Sequence, residues 1–152
     1  MLYNVVLEIH SVVRWVVILT ALFALIRAIT GLAFKRGYMA MDNRAGLWFT
    51  TAMDIQLLVG VILYFFLSPT TTLALQNFSS VMGSSTGRFF SLEHVLMMVI
   101  AVVVAHVGRA MARRAPTAEQ KHRRTLIWFG LSILIVLAAI PWPFLSYGRP
   151  LL

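Results

Sequence analysis

Seven ionisable residues interrupt the apolar stretches of this chain: Glu8, His10 and Arg14 in the first, Asp54 in the second, and Glu93, His94 and His106 in the third. Ionisable groups inside apolar helices are costly and usually face a protein interior, where they mark function or a structural pair. His10 and His94 carry the clearest chemistry, because imidazole nitrogens ligate metals, haem iron included. Counted from the nearest basic anchors, His10 lies 17 residues from Arg27 and His94 lies 15 residues from Arg109. At about 1.5 Å per residue those are roughly 25 Å and 22 Å, nearly one level. Gly60, 16 residues from Arg44, comes to about 24 Å by the same rule, a position without a side chain beside the two imidazoles. In an up-down bundle the first and third spans are diagonal, roughly 11–14 Å apart, room for an iron held from both sides with Gly60 sparing the edge of a macrocycle. Arg14, one turn beyond His10, is placed to pair with Glu93 or with a propionate. The plainer alternative is that the histidines hydrogen-bond to Ser11, Ser91, Glu93 or backbone carbonyls.

Two further residues invite separate readings. Asp54 is 10 residues above Arg44, about 15 Å into the apolar layer, where desolvation favours a protonated or paired acid. It is either a proton or cation site, or a hydrogen-bonding partner of Thr51 or of an adjacent helix. His106 is three residues above Arg109 and is expected at an interface; no second histidine shares its level, which argues against a second haem. His122 falls in a basic stretch and is expected to be solvated.

The elements that position these residues are four apolar runs, at about 3–29, 47–67, 89–108 and 126–145. Each is long enough to cross a ~30 Å hydrocarbon layer as a helix. The composition agrees: 60% of the 152 residues are hydrophobic and 12% charged, against roughly 45–50% and about 25% in soluble domains. A soluble enzyme is thereby excluded. One integral membrane domain over 1–152 is expected, all-α, as an up-down-up-down four-helix bundle. Strands would need alternating polarity, and the run 99–104 (Val-Ile-Ala-Val-Val-Val) has none. The connection 68–88 has turn and loop composition, with a short interfacial helix expected near 73–78.

The net charge of +8 suggests nucleic acid until the charges are placed. Ten of the 13 basic residues lie in two connections: Arg27, Lys35, Arg36 and Arg44, then Arg109, Arg113, Arg114, Lys121, Arg123 and Arg124. The positive-inside rule makes these loops cytoplasmic and both termini external, in a bacterial inner (plasma) membrane, with the lipid bilayer rather than nucleic acid as partner. The N-terminus shows no basic region followed by a small-residue cleavage site, so the first run is expected to stay. With no cysteine, disulfides, thiolate metal sites, c-type haem attachment and a cysteine nucleophile are excluded.

Several short patterns coincide along the chain: His10-Ser11-Val12-Val13-Arg14-Trp15, Gln56-Leu57-Leu58-Val59-Gly60, Arg88-Phe89 with Glu93-His94, and Pro141-Trp142-Pro143. Together they resemble a family of small bacterial four-helix membrane proteins labelled "cytochrome B", over nearly the whole chain. The resemblance implies a haem b with His10 and His94 as axial ligands. Where that family often has His-Ile-Gln-Leu-Leu, this chain has Asp54-Ile55-Gln56-Leu57-Leu58, which leaves His10 and His94 as the pair. On this reading the protein passes single electrons to or from a quinol or other membrane redox subunits. A cofactor-free accessory subunit of a larger respiratory or photosynthetic complex, or a homo-oligomer, is the alternative, with Arg14, Glu8 and Glu93 as an ion-pair network fixing helix register. Proton or ion passage through Asp54 is a third reading, disfavoured because neither repeats nor broken helices are evident.

Overall fold

The computed structural model describes residues 1–150 and is all-helical among them. Four helical rods, Leu2–Ala33, Ala40–Leu67, Ser85–Arg114 and Ala118–Ala139, are long and apolar enough to cross a membrane. The chain is thus a multi-pass membrane protein whose outer surface, with Leu19, Leu58 and Leu134 each 64% exposed, suits lipid.

The first rod is α1 (Leu2–Ala33), and α2 (Ala40–Ile62) opens the second. Between them the chain reverses through a Schellman cap. The Arg36 amide donates to the Gly31 carbonyl at 2.9 Å and the Lys35 amide to that of Leu32 at 3.3 Å. Lys35 takes the left-handed conformation this cap requires, with φ 48°. Asp42 then locks the corner. Its carboxylate accepts from Arg27 Nε at 2.7 Å, from both Arg36 terminal nitrogens at 3.0 and 3.1 Å, and from the Met39 amide at 2.7 Å. These bonds to Asp42 also raise the pKa of the Arg36 guanidinium.

The second rod ends in a π-turn, Leu63–Leu67, and the third has another near its start, Phe89–Glu93, before α6 (His94–Arg114). Between them lie three short helices, α3 (Pro69–Gln76), α4 (Phe78–Met82) and α5 (Ser85–Arg88), where one near 73–78 was expected. The last rod, α7 (Ala118–Ala139), is capped by the Thr117 hydroxyl, which accepts from the Gln120 amide at 3.2 Å. The fourth span thus lies some residues earlier than the apolar run suggests. Ile140 turns extended and Pro141 cannot continue the helix, so 140–150 leave it and fold over its end. His122 falls inside α7 and is 1% exposed, against the expectation of a solvated loop residue. Its ring lies 5.1 Å from that of Tyr38 and fills the space above Gly31, where a Cβ would overlap it.

Helix α1 packs on α2 and α7, and these in turn pack on α6. Close approach rests on small residues at alternating spacings of four and three: Val17, Ala21, Ala24, Ala28 and Gly31 on α1, and Ala101, Ala105, Gly108 and Ala112 on α6. Phe49 and Phe129 meet edge to face at 4.9 Å in the centre, and the buried Ser132 hydroxyl donates to the Ala101 carbonyl at 2.8 Å.

Asp42 is 5% exposed and neutralises two arginines that keep partial contact with solvent. Replacing it with alanine should cost about 2–3 kcal/mol, below the range for a fully buried pair because the arginines stay hydrated. Unfolding in detergent micelles measures this, and a melting curve superposable on the wild type would contradict the role.

Candidate functional site

The dense core and the polar residues occupy different halves of the bundle. Core side chains run from Val17 to Ala24 on α1, Ala45 to Met53 on α2, Ala101 to Ala105 on α6 and Phe129 to Ile140 on α7 and just beyond. Beyond Val17, Met53, Val102 and Val136 the helices enclose a cavity of about 750 Å³. His10, Arg14, Gln56, Gly60, His94 and Arg149 lie on its wall.

The structure brings His10 and His94 together, their ring centroids 6.3 Å apart and the planes inclined at 65°. His94 is held by the Ala139 carbonyl, 2.8 Å from Nδ1. That nitrogen must carry the proton to make the bond, so Nε2 of the neutral ring keeps its lone pair. One end of the plainer hydrogen-bonding alternative is therefore met, by a backbone carbonyl. His10 differs: its Nδ1 is buried and has no hydrogen-bond partner among the described residues. Gln56 donates to the His10 carbonyl at 3.0 Å while its own side-chain oxygen, also buried, accepts nothing. Two polar atoms on cavity-lining residues thus lack partners, a state that proteins seldom tolerate without a ligand or water.

Gly60 sits against His10. A Cβ there would lie 3.3 Å from the His10 Cε1, so the missing side chain makes room for the imidazole itself rather than directly for a larger group. Arg14 is 8% exposed, with its guanidinium 5.7 Å from the Trp15 ring centroid. Glu8 lines the cavity at an exposed position. Glu93 is engaged elsewhere, in an exposed pair with Arg88 at 2.8 Å. The π-turn places residues five apart on one side, which carries Glu93 back over Arg88.

Arg149 is the cavity residue that sequence reasoning missed. It lies beyond the last helix, and nothing in its local pattern marks it. The segment after α7 folds back, with the Arg149 amide donating to the Pro141 carbonyl at 3.0 Å. Its guanidinium lies 4.2 Å from the Phe90 ring centroid and donates to the Tyr3 hydroxyl at 2.9 Å. Tyr147 stacks on Phe89 at 3.9 Å, and Phe89 lies 5.7 Å from the His94 ring. The terminal segment thereby covers the end of the cavity away from the basic connections and gives it a second guanidinium.

Asp54 and His106 lie outside the cavity. They pair with each other, 2.7 Å between Oδ1 and Nε2, across α2 and α6. Counting from basic anchors had put them about 10 Å apart in depth. The helices are staggered: Asp54 is 14 residues into α2, His106 eight from the end of α6, so the two rulers have different origins. No group of three or more metal-ligating side chains occurs among the described residues. Comparisons with family models, curated proteins and solved structures each find no match.

The terminal segment depends on Arg149. A cation–π contact and a hydrogen bond together amount to about 1–2 kcal/mol. Arg149→Ala should speed amide hydrogen exchange across 142–148 about ten-fold while leaving α6 and α7 protected. Unchanged exchange there would contradict the latch.

Proposed function

We propose that this chain is a small membrane b-type cytochrome, an electron carrier that holds a haem between His10 and His94. The observation that carries the reading is the approach of those two imidazoles, ring centroids 6.3 Å apart, on the wall of a cavity that Arg14 and Arg149 also line. Imidazole–metal bonds are about 2 Å long, so two rings on opposite sides of one ion stand with centroids about 6 Å apart. The observed 6.3 Å fits that requirement. The lone pair left on His94 Nε2 supplies one donor, and the His10 imidazole, whose Nδ1 has no hydrogen-bond partner among the described residues, supplies the other. When bound, such a haem supplies reversible one-electron chemistry, and two histidine ligands leave no open position for oxygen.

The chain's own groups each have a part. Ala139 fixes the His94 tautomer and ring orientation through its carbonyl, as outer-shell acceptors do for metal-bound histidines. Gly60 lets one edge of the His10 ring approach α2 closely. Arg14 and Arg149 offer positive charge to carboxylates at the outer end. The apolar walls and the C-terminal segment exclude water, which strengthens those electrostatic contacts.

The same reading includes a topology. Contacts pair late residues of one rod with early residues of the next, Arg27 with Asp42 and Met111 with Arg124, and Ala101 meets Ser132 farther from the turn. These pairings support an up-down-up-down order, and the ten basic residues at one end support cytoplasmic loops with external termini in a bacterial inner membrane.

Protein purified after expression with ample haem should show a Soret band at about one haem per chain. His10→Ala and His94→Ala should each abolish or strongly shift that band. No Soret band in the wild type would overturn the proposal and leave the cofactor-free accessory subunit as the standing reading.

A further inference from the structure

A carboxylate–imidazole pair on an outward face of a membrane bundle calls for an explanation. The side chains of Asp54 and His106 are 48% and 45% exposed, on helices whose neighbouring surface, Leu58 and Val103 among it, is exposed and apolar. Intramembrane ionisable groups almost always face a protein interior or a water-filled cavity. A pair serving only to hold α2 to α6 would be most effective buried between them.

The pair ends a continuous apolar seam. On the second rod residues 54, 57, 61 and 64 form one helical stripe, the last in its π-turn, and on the third rod residues 91, 95, 99, 102 and 106 form another, the first in its π-turn. Hydrogen bonds join the stripes at both ends: Tyr64 to the Ser91 carbonyl at 2.9 Å, and Asp54 to His106. Between these ties Leu57, Val61, Val95, Val99 and Val102 line the cavity. Val61 and Val99 are also 39% and 42% exposed. The cavity therefore opens sideways toward lipid through the α2–α6 seam, with the Asp54–His106 pair at the foot of the opening.

We propose that this seam is the binding site of a membrane quinol, whose hydroxyl donates to His106 while its ring lies against Val61, Val99 and Val102. The ligand must be lipid-soluble, because the opening faces the bilayer, and must carry a hydrogen-bonding oxygen on a flat apolar body. Asp54 accepts the Nε2 proton of His106. The neutral ring then presents its Nδ1 lone pair, which has no hydrogen bond among the described residues. A carboxylate-oriented imidazole of this kind accepts a proton from a hydroxyl. Arg109, one turn farther along α6, places the pair near the basic end of the bundle, where a proton can reach water. The site names the lipid-soluble donor for the electron-carrier reading and rests on that reading for its purpose; the binding itself rests on the seam.

The test uses the full chain in phosphatidylcholine nanodiscs under anaerobic conditions, with decylubiquinol as the probe. Retained quinol is measured against empty discs. Saturable retention near one per chain is expected, weakened at least ten-fold by His106→Gln and by Asp54→Asn. Val99→Trp, which fills the seam and leaves the pair intact, should abolish retention. Leu134→Trp, on the lipid-facing side of α7, should not change it, and this couple decides the matter even if the pair variants fail to fold. Retention equal to empty discs, or indifferent to Val99→Trp, overturns the proposal. So does a wild-type dimer that binds no quinol and dissociates in Asp54→Asn, since a second copy would then cover the seam. An optical spectrum on the same discs separates the two readings. Saturable quinol without a Soret band sinks only the haem, and a Soret band without quinol binding sinks only this site.

Discussion

Hydrocarbon offers a buried polar group no hydrogen-bond partner, and the rest of this structure follows from how the chain meets that constraint. Inside the rods most polar side chains are satisfied locally. Thr20, Thr30, Thr50 and Thr125 each return their hydroxyl to a carbonyl four residues earlier, within 2.8–3.1 Å. Others reach across: Ser132 to Ala101, Gln56 to His10, His94 to Ala139. Where the second rod relaxes into a π-turn, the Thr71 hydroxyl takes up the Tyr64 carbonyl at 2.7 Å. Buried polar atoms without a hydrogen bond among the described residues remain at both ends of the bundle, on His122, Arg109 and Ser91 as well as at His10 Nδ1 and the Gln56 oxygen, and His10 and Gln56 line one cavity.

The cavity exists because packing changes character along the bundle axis. Toward the basic end, alanines and Gly31 let the helices approach, and Phe49, Phe129 and Ile133 fill what remains. Beyond Val17 and Met53 the small-residue stripe of α1 stops, and the inward positions pass to His10, Ser11 and Arg14, whose groups cannot close against each other without partners. The two π-turns occur at this same end and redirect side chains by adding a residue to a turn, which is why such turns recur at functional sites. A dense half thus holds the frame while the other half keeps its space.

Most of the frame was legible in the residues. Four apolar runs and the two basic connections marked the rods, and the 17, 21, 24, 28, 31 spacing of small residues was present to be read. Counting rise from basic anchors brought His10, His94 and Gly60 to similar depths, and His10 does lie against both Gly60 and His94. The same count separated Asp54 from His106, because stagger between helices leaves no trace in either helix alone. Charge type also misled at His122, whose basic neighbours concealed a position facing Gly31 across the bundle. Arg149 was illegible for another reason: its place depends on Pro141 ending α7 and on the segment folding back, a tertiary event with no periodicity.

The two polar sites are related through α2 and α6. From Gly60, against His10, to Asp54 is six residues, about 9 Å of rise, and from His94 to His106 is twelve, about 18 Å. The Leu57–Val61 stripe and the Val95–Val102 stripe bridge that interval, open to lipid on one side and to the cavity on the other. Elsewhere α6 and α7 are joined by a buried hydroxyl, and α1 and α2 by the Asp42 corner. The α2–α6 contact is the thinnest of the four between neighbouring rods and is tied at its two ends. A bundle that needed only to persist in lipid would gain from alanines in this seam, as it has in the α1 and α6 core stripes. Valine and leucine there, with a hydrogen-bonded acid and imidazole at the foot, keep the seam wider between its two ties than the alanine-lined contacts.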